Sequence, residues 1–204
     1  MTKEKKKKLP ERGYKVFRAV LGPIFRLWYH PKVYGKENIP KDGSFLVTAN
    51  HKHVIDQCAI ICSTKRIIHY MAKKEYFDGR HAWFFKMAGC ISVDRSIHDD
   101  NAKSQALDVL ESGGAIGLFP EGTRNKTDAF LLPFKFGAVS MAKKTDSYLV
   151  PVGISGDYKF RSKNLRFYIG KPFKVGDMSL EEANDKLAKE IGKLMKKGQQ
   201  ETKK

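Results

Sequence analysis

The chain has no uninterrupted apolar run approaching the ~20 residues that a helix needs to span a bilayer, so no transmembrane helix is expected. Cysteine is scarce. Cys58, Cys62 and Cys90 are the only three among 204 residues, an odd set that gives no disulfide framework and suits a reducing compartment. Internal repeats and heptad runs are missing too, which excludes solenoids and coiled coils. The deepest shortage is of negative charge: 22 Asp and Glu face 39 Lys and Arg, for a formal net charge of +17. Such a field recruits an anionic partner, whether nucleic acid, an anionic bilayer or a phosphorylated small molecule.

Hydrophobic residues make up 41% and aromatics 11%, enough to fill one core and to exclude global disorder. The length fits one domain with a small terminal appendage. The excess charge is spread over both parts. Residues 1–18 hold eight basic side chains against Glu4 and Glu11, and the remainder is basic as well. The run VFRAVLGPIFRLWY after this start resembles a secretion signal only superficially. Arg18, Gly22, Pro23 and Arg26 interrupt it and no small-residue cleavage site follows, so it is expected to stay in the mature protein.

From Glu11 to Tyr29, the spacing of Tyr14, Phe17, Val20, Leu21, Ile24, Phe25 and Trp28 predicts one apolar helix face, with Arg12, Lys15, Arg18 and Arg26 mostly elsewhere. Pro23 kinks this helix or divides it into two. The face either packs on the domain's own core or lies in a lipid headgroup layer, where each Lys or Arg adds about 1 kcal/mol on anionic lipid. Beyond the turn-rich stretch 35–43, strands are predicted over 44–49, 67–71, 89–93, 115–119, 148–154 and 165–169. Helical patterns cover 56–63, 82–88, 101–111, 136–144 and 179–197, the last opening on a Ser-Glu cap pattern and closing on lysines. The alternation predicts a single α/β domain with a mostly parallel central sheet flanked by helices, and ligands bind at the ends of such strands. The boundary is drawn between an N-terminal membrane-association segment, 1–34, and the α/β domain, 35–204.

Two motifs carry chemistry. FLVTANHKHVID reads as a strand, a turn and a helix start that bring His51 beside Asp56. A carboxylate can orient an imidazole and stabilise its cation, freeing the other ring nitrogen to act as a general base. Six His and 12 Asp make about a third of such a pair expected by chance, so the spacing alone decides nothing. AIGLFPEGTRN is an apolar strand followed at once by Glu121, Gly122, Thr123 and Arg124. Glycine and a hydroxyl let backbone approach an oxyanion, and arginine forks two donors onto phosphate, although an ordinary turn with a surface ion pair has the same letters. Arg95 closes GCISVDR, and Lys135 lies in LPFKFGA.

The order NHKHVID, MAKKEYF, GCISVDR, FPEGTR, LPFKFGA, VPVGISG resembles the glycerolipid acyltransferase family that includes the bacterial 1-acylglycerol-3-phosphate acyltransferases. The likeness covers roughly Ala49 to Gly156. It implies a glycerol-3-phosphate-acyltransferase-like fold in which His51, held by Asp56, takes the proton from the sn-2 hydroxyl of lysophosphatidic acid as that oxygen attacks an acyl thioester. No acyl-enzyme is implied. Arg95, Glu121, Gly122, Thr123 and Arg124 match acceptor-binding motifs, with the two arginines on the phosphate and Glu121 orienting Arg124 or nearby backbone. Lys73 matches a lysine that could stabilise the thioester oxyanion, and Lys135 extends the polar site.

The resemblance also implies acyl-CoA or acyl carrier protein as donor, no resident cofactor, and an anionic membrane surface as partner at the cytoplasmic face of the cell membrane. Nucleic acid is not an expected partner, since zinc spacing, RNA-recognition signatures and a Gly-Lys phosphate loop are all missing. No metal is expected at His51 and His53, which have no carboxylate ligands beside them. Ile91, Ser92 and Tyr76 depart from the family pattern and bear on the choice of acyl chain. Acylation of glycerol 3-phosphate itself, or of another lysophospholipid, is the nearest alternative, and a basic nucleic-acid-binding protein is the alternative outside the enzymes.

Overall fold

Seven strands form one sheet in the order β1-β7-β6-β2-β5-β3-β4, in a computed structural model that describes residues 9–97 and 99–202. The strands are β1 (Lys32–Tyr34), β2 (Phe45–Ala49), β3 (Ile68–Lys73), β4 (Ile91–Val93), β5 (Ala115–Leu118), β6 (Tyr148–Ser155) and β7 (Arg166–Ile169). From β6 to β4 every neighbouring pair is parallel, and the one antiparallel pairing between these strands, β6 with β7, reverses the edge made by β7 and β1. The C-terminal ends of five strands therefore share one rim, the rim at which α/β sheets bind ligands.

Both faces of the sheet are covered, which is why β2 is buried along its whole length and apolar but for Thr48. Phe45, Val47 and Ala49 point to one side, where Phe25 of α1 (Arg12–Tyr29) and Ala59 and Ile60 of α2 (Asp56–Ile61) join them. Leu46 points to the other, into a cluster with Ile116, Leu149 and the inward faces of three more helices. Those helices are α5 (Asp100–Glu111), α6 (Gly137–Thr145) and α7 (Leu180–Thr202). The cap pattern at the start of α7 is formed: Ser179 N–H donates to Glu182 Oε2 at 2.8 Å and Glu182 N–H to Ser179 Oγ at 3.1 Å. Two short helices, α3 (Glu75–Asp78) and α4 (Ala82–Met87), fill the β3–β4 crossover.

The N-terminal segment departs from its sequence pattern in three ways. Helix α1 runs unbroken through Pro23. Two of its three arginines reach the protein: Arg18 donates to the carbonyls of Thr64 and Lys65 at 3.0 Å, and Arg26 to that of Cys62, serving the orphan acceptors after α2. Tyr14 and Phe25 are buried beside them, while Val20, Leu21, Ile24 and Trp28, predicted on the same face, are exposed together with Val16 and Leu27. A Cβ at Gly13 would collide with the Met87 carbonyl, so glycine sets the close approach of α1 to α4. Third, β1 pairs with β7, so the sheet begins at Lys32, inside the span 1–34 drawn as a separate segment. Lys3 and Lys5 to Lys8 lie outside the described residues. Elsewhere β4 starts at Ile91 rather than 89, because Gly89 carries a positive φ of 67° that ends the preceding turn.

Candidate active site

Val47, Gly117 and Tyr70 are in direct register across β2, β5 and β3, and Met71 is registered with Ile91 of β4. A few residues past that line come His51, Glu121, Lys73 and Arg95, one on each strand end. Sequence-distant candidates thus share one rim, with neighbouring strands about 4.8 Å apart.

His51 is the best-tied of them. Its Nδ1 lies 2.8 Å from Asp56 Oδ2, and the same oxygen accepts the N–H groups of Lys52 at 2.7 Å and His53 at 2.8 Å. Facing a carboxylate, Nδ1 must carry the proton, which leaves the lone pair on Nε2. Asp56 is fully buried at the first position of α2, and its other oxygen, Oδ1, accepts from the Tyr158 hydroxyl. The imidazole stacks on Phe119 with centroids 3.9 Å apart and planes 8° from parallel. Nε2 makes no hydrogen bond among the described residues.

Glu121 stitches the two motifs together. Its Oε1 accepts His51 N–H at 2.7 Å and its Oε2 accepts Leu132 N–H at 2.9 Å, while Asn125 N–H donates to the His51 carbonyl at 2.8 Å. Of the two roles open to Glu121, it therefore serves the neighbouring backbone and makes no ion pair with Arg124. Burial pushes its carboxyl above the ordinary value, against the pull of those two amides. Gly122 takes a positive φ of 70°, so the turn favours glycine, and the flexible end of Lys135 lies over it. Thr123 and Arg124 are exposed beside the dyad, next to the bonded Asn125.

The other candidates sit farther along the rim. Lys73 ends β3, about two strand spacings (~10 Å) from β2, and pairs with Glu75. Arg95, past β4, is exposed and makes no hydrogen bond or ion pair among the described residues. Lys135 is exposed over Gly122, with its N–H on the Pro120 carbonyl at 2.8 Å. Among the described residues, no three His, Cys, Asp or Glu side chains gather to hold a metal, and His53 stacks on Tyr158 at 4.5 Å instead. Two cavities of about 390 and 310 Å³ open between α1 and the end of α2. Neither contains the dyad, and their arginines are engaged by backbone carbonyls, so the chemistry is assigned to the rim.

Three contributors escaped sequence reading. Asn50 pairs its side chain with the backbone of Ile154, at 3.0 and 2.7 Å, and so pins the end of β2 to β6. Its place before His51 was visible, but nothing marked the partner. Phe119 carried the mark of a strand-end aromatic. Tyr158, 102 residues from Asp56, carried none.

Residues 30–155 match the acyltransferase family model. The chain belongs to the acyltransferase family. This acyltransferase is 32% identical to the 1-acyl-sn-glycerol-3-phosphate acyltransferase of Bacillus subtilis, over 86% of this chain and 89% of that one. It is 33% identical to the protein of the same name from Borreliella burgdorferi, over 68% of this chain and 56% of that one, and so spans little more than half of that relative. In fold it is similar to the crystal structure of the 1-acyl-sn-glycerophosphate (LPA) acyltransferase PlsC from Thermotoga maritima, with a TM-score of 0.71. That match has 24% identity and covers 92% of this chain and 83% of that one.

Proposed function

We propose that this acyltransferase moves an acyl group from a thioester on coenzyme A or acyl carrier protein to the sn-2 hydroxyl of 1-acyl-sn-glycerol 3-phosphate, giving phosphatidic acid. The names of the relatives support the acceptor. The observation that carries the chemistry is the His51–Asp56 contact at 2.8 Å with Nε2 left unpartnered. Nε2 takes the hydroxyl proton as the oxygen forms its bond to the thioester carbonyl carbon. The carbon–sulfur bond then breaks, and the imidazolium returns the proton to the departing thiolate. The substrate's own oxygen is the nucleophile, so neither an acyl-enzyme nor a resident cofactor enters. Burial supports this reading by pushing the Cys58 and Cys90 thiols up to about 12, where neither is a thiolate at neutral pH.

Arg95 and Arg124, both exposed at the rim, take the acceptor's phosphate as charge-assisted donors. Lys73 meets the oxyanion by exchanging Glu75 for it. The outward row of α1, Val16, Val20, Ile24 and Leu27, suits burial in the headgroup layer of an anionic membrane, for which the charge of +17 supplies long-range attraction. No described helix is long and apolar enough to cross that membrane. The deciding experiment presents the purified protein with lysophosphatidic acid or glycerol 3-phosphate, each with acyl-CoA and with acyl carrier protein thioester, and identifies the lipid products. Phosphatidic acid from lysophosphatidic acid is the expected result; activity confined to glycerol 3-phosphate overturns the assignment.

A further inference from the structure

We infer that Tyr158 is a positioning residue for the His51–Asp56 pair, acting through the hydrogen bond from its hydroxyl to Asp56 Oδ1. The inference rests on the reading of His51 as the base. Asp56 is fully buried, and its two oxygens are served very differently. Oδ2 receives three N–H groups, from the His51 ring, Lys52 and His53, all within the turn that carries the base. A carboxylate held only at that oxygen remains free to swing about it. Oδ1 has one described donor, the Tyr158 hydroxyl, which comes from the β6–β7 loop beside β2 and fixes the plane of the group. The orientation of the imidazole depends on that plane.

Tyr158 is itself braced. Its ring stacks on His53, with centroids 4.5 Å apart and planes 20° from parallel, and meets Tyr29 of α1 edge-on at 5.6 Å. The loop that carries it is tied to the same helix end. Arg161 N–H donates to the Trp28 carbonyl at 2.8 Å, and Phe160 packs on the Trp28 ring at 4.7 Å. Burial and the nearby Asp56 charge raise the phenol above its ordinary value, so the hydroxyl stays a donor at every pH at which the protein works. The last turn of α1 thereby reaches the base through one aromatic side chain.

Tyr158→Phe keeps the ring and both aromatic contacts and removes only the hydroxyl. The test measures kcat and both KM values for His51→Ala, Tyr158→Phe, Asp56→Asn and the Asp56→Asn/Tyr158→Phe pair, with melting temperatures. His51→Ala is expected to lower kcat by ~10²–10⁴-fold. Tyr158→Phe is expected to lower kcat about 10-fold, a fraction of the ~10²–10⁴ that a positioned base contributes, with both KM values within about twofold of wild type. In the Asp56→Asn background the same substitution should change kcat by less than about twofold, because its route to the base is already cut. Near-normal turnover of His51→Ala overturns the base itself. A His51→Ala variant slowed to that extent beside a fully active Tyr158→Phe overturns only the role of Tyr158. An equal loss in both backgrounds, or a loss confined to KM, likewise overturns action through Asp56.

Discussion

At the same rim, His51, Asp56 and Glu121 are tied to one another and to backbone amides, whereas Arg124 past β5 and Arg95 past β4 stand in solvent and Lys73 of β3 is held only by the nearby Glu75. The first group is assembled before any substrate arrives, and the second is left with its side-chain freedom. Proton transfer tolerates little misplacement, so its geometry profits from being fixed in advance. A phosphate can gather exposed cations on arrival, at the cost of ordering them. On the proposed reading, the contrast separates the base and its supports from the cations that meet the incoming phosphate and the oxyanion.

The largest expected effect breaks the ordered half. His51→Ala should lower kcat by ~10²–10⁴-fold, the usual contribution of a positioned base, with the fold retained by circular dichroism. Near-normal turnover in the folded variant would mean that the ordered half is architecture alone. The loose half should answer in the other parameter. Arg124→Ala and Arg95→Ala should each raise KM for the phosphorylated acceptor by about 10-fold, since a hydrogen bond to a charged group is worth about 1.5–3 kcal/mol, and kcat should hold. If KM stays constant for both variants, the phosphate binds elsewhere.

How much of this was legible in the letters follows from how locally each feature is encoded. The parallel sheet was readable because its strands are short apolar runs between helical patterns, and the HxxxxD turn because the three bonds to Asp56 Oδ2 fall between residues 51 and 56. The stitch from Glu121 to His51 spans 70 residues. It was foreshadowed only by the order of the family's motifs. Strand β1 was invisible, since three residues at a sheet edge leave no periodicity. The split of α1, with Tyr14 and Phe25 inward and Val20 and Ile24 outward, was missed because a helical wheel assigns arginine to solvent, while here the carbonyls after α2 hold Arg18 and Arg26.

That split bears on what braces the ordered half from outside. If the exposed row of α1 lies in lipid, Ile24→Glu with Leu27→Glu should cut sedimentation with anionic vesicles several-fold and leave the melting temperature unchanged, because Leu27 is 69% exposed. Undiminished sedimentation would assign vesicle binding to another surface. Should kcat on vesicles also fall while detergent-dispersed substrate is turned over normally, the brace through Tyr29 and Tyr158 responds to membrane contact.

The smallest effect probes rigidity directly, through two thiols that burial raises alike, each to about 12. At pH 8 the folded protein keeps both thiols protonated and half-buried, so a thiol reagent labels them faster when the structure opens locally. Cys58 lies on α2 beneath the dyad, among buried neighbours that include Ala59 and Ile60. Cys90 precedes β4, a three-residue edge strand paired with β3 alone. Fewer ladder bonds must break to expose Cys90, so mass spectrometry of native protein should find it labelled before Cys58, and urea should erase the difference. The reverse order would mean that the dyad's side of the sheet opens first, and that its hydrogen bonds supply direction without stiffness.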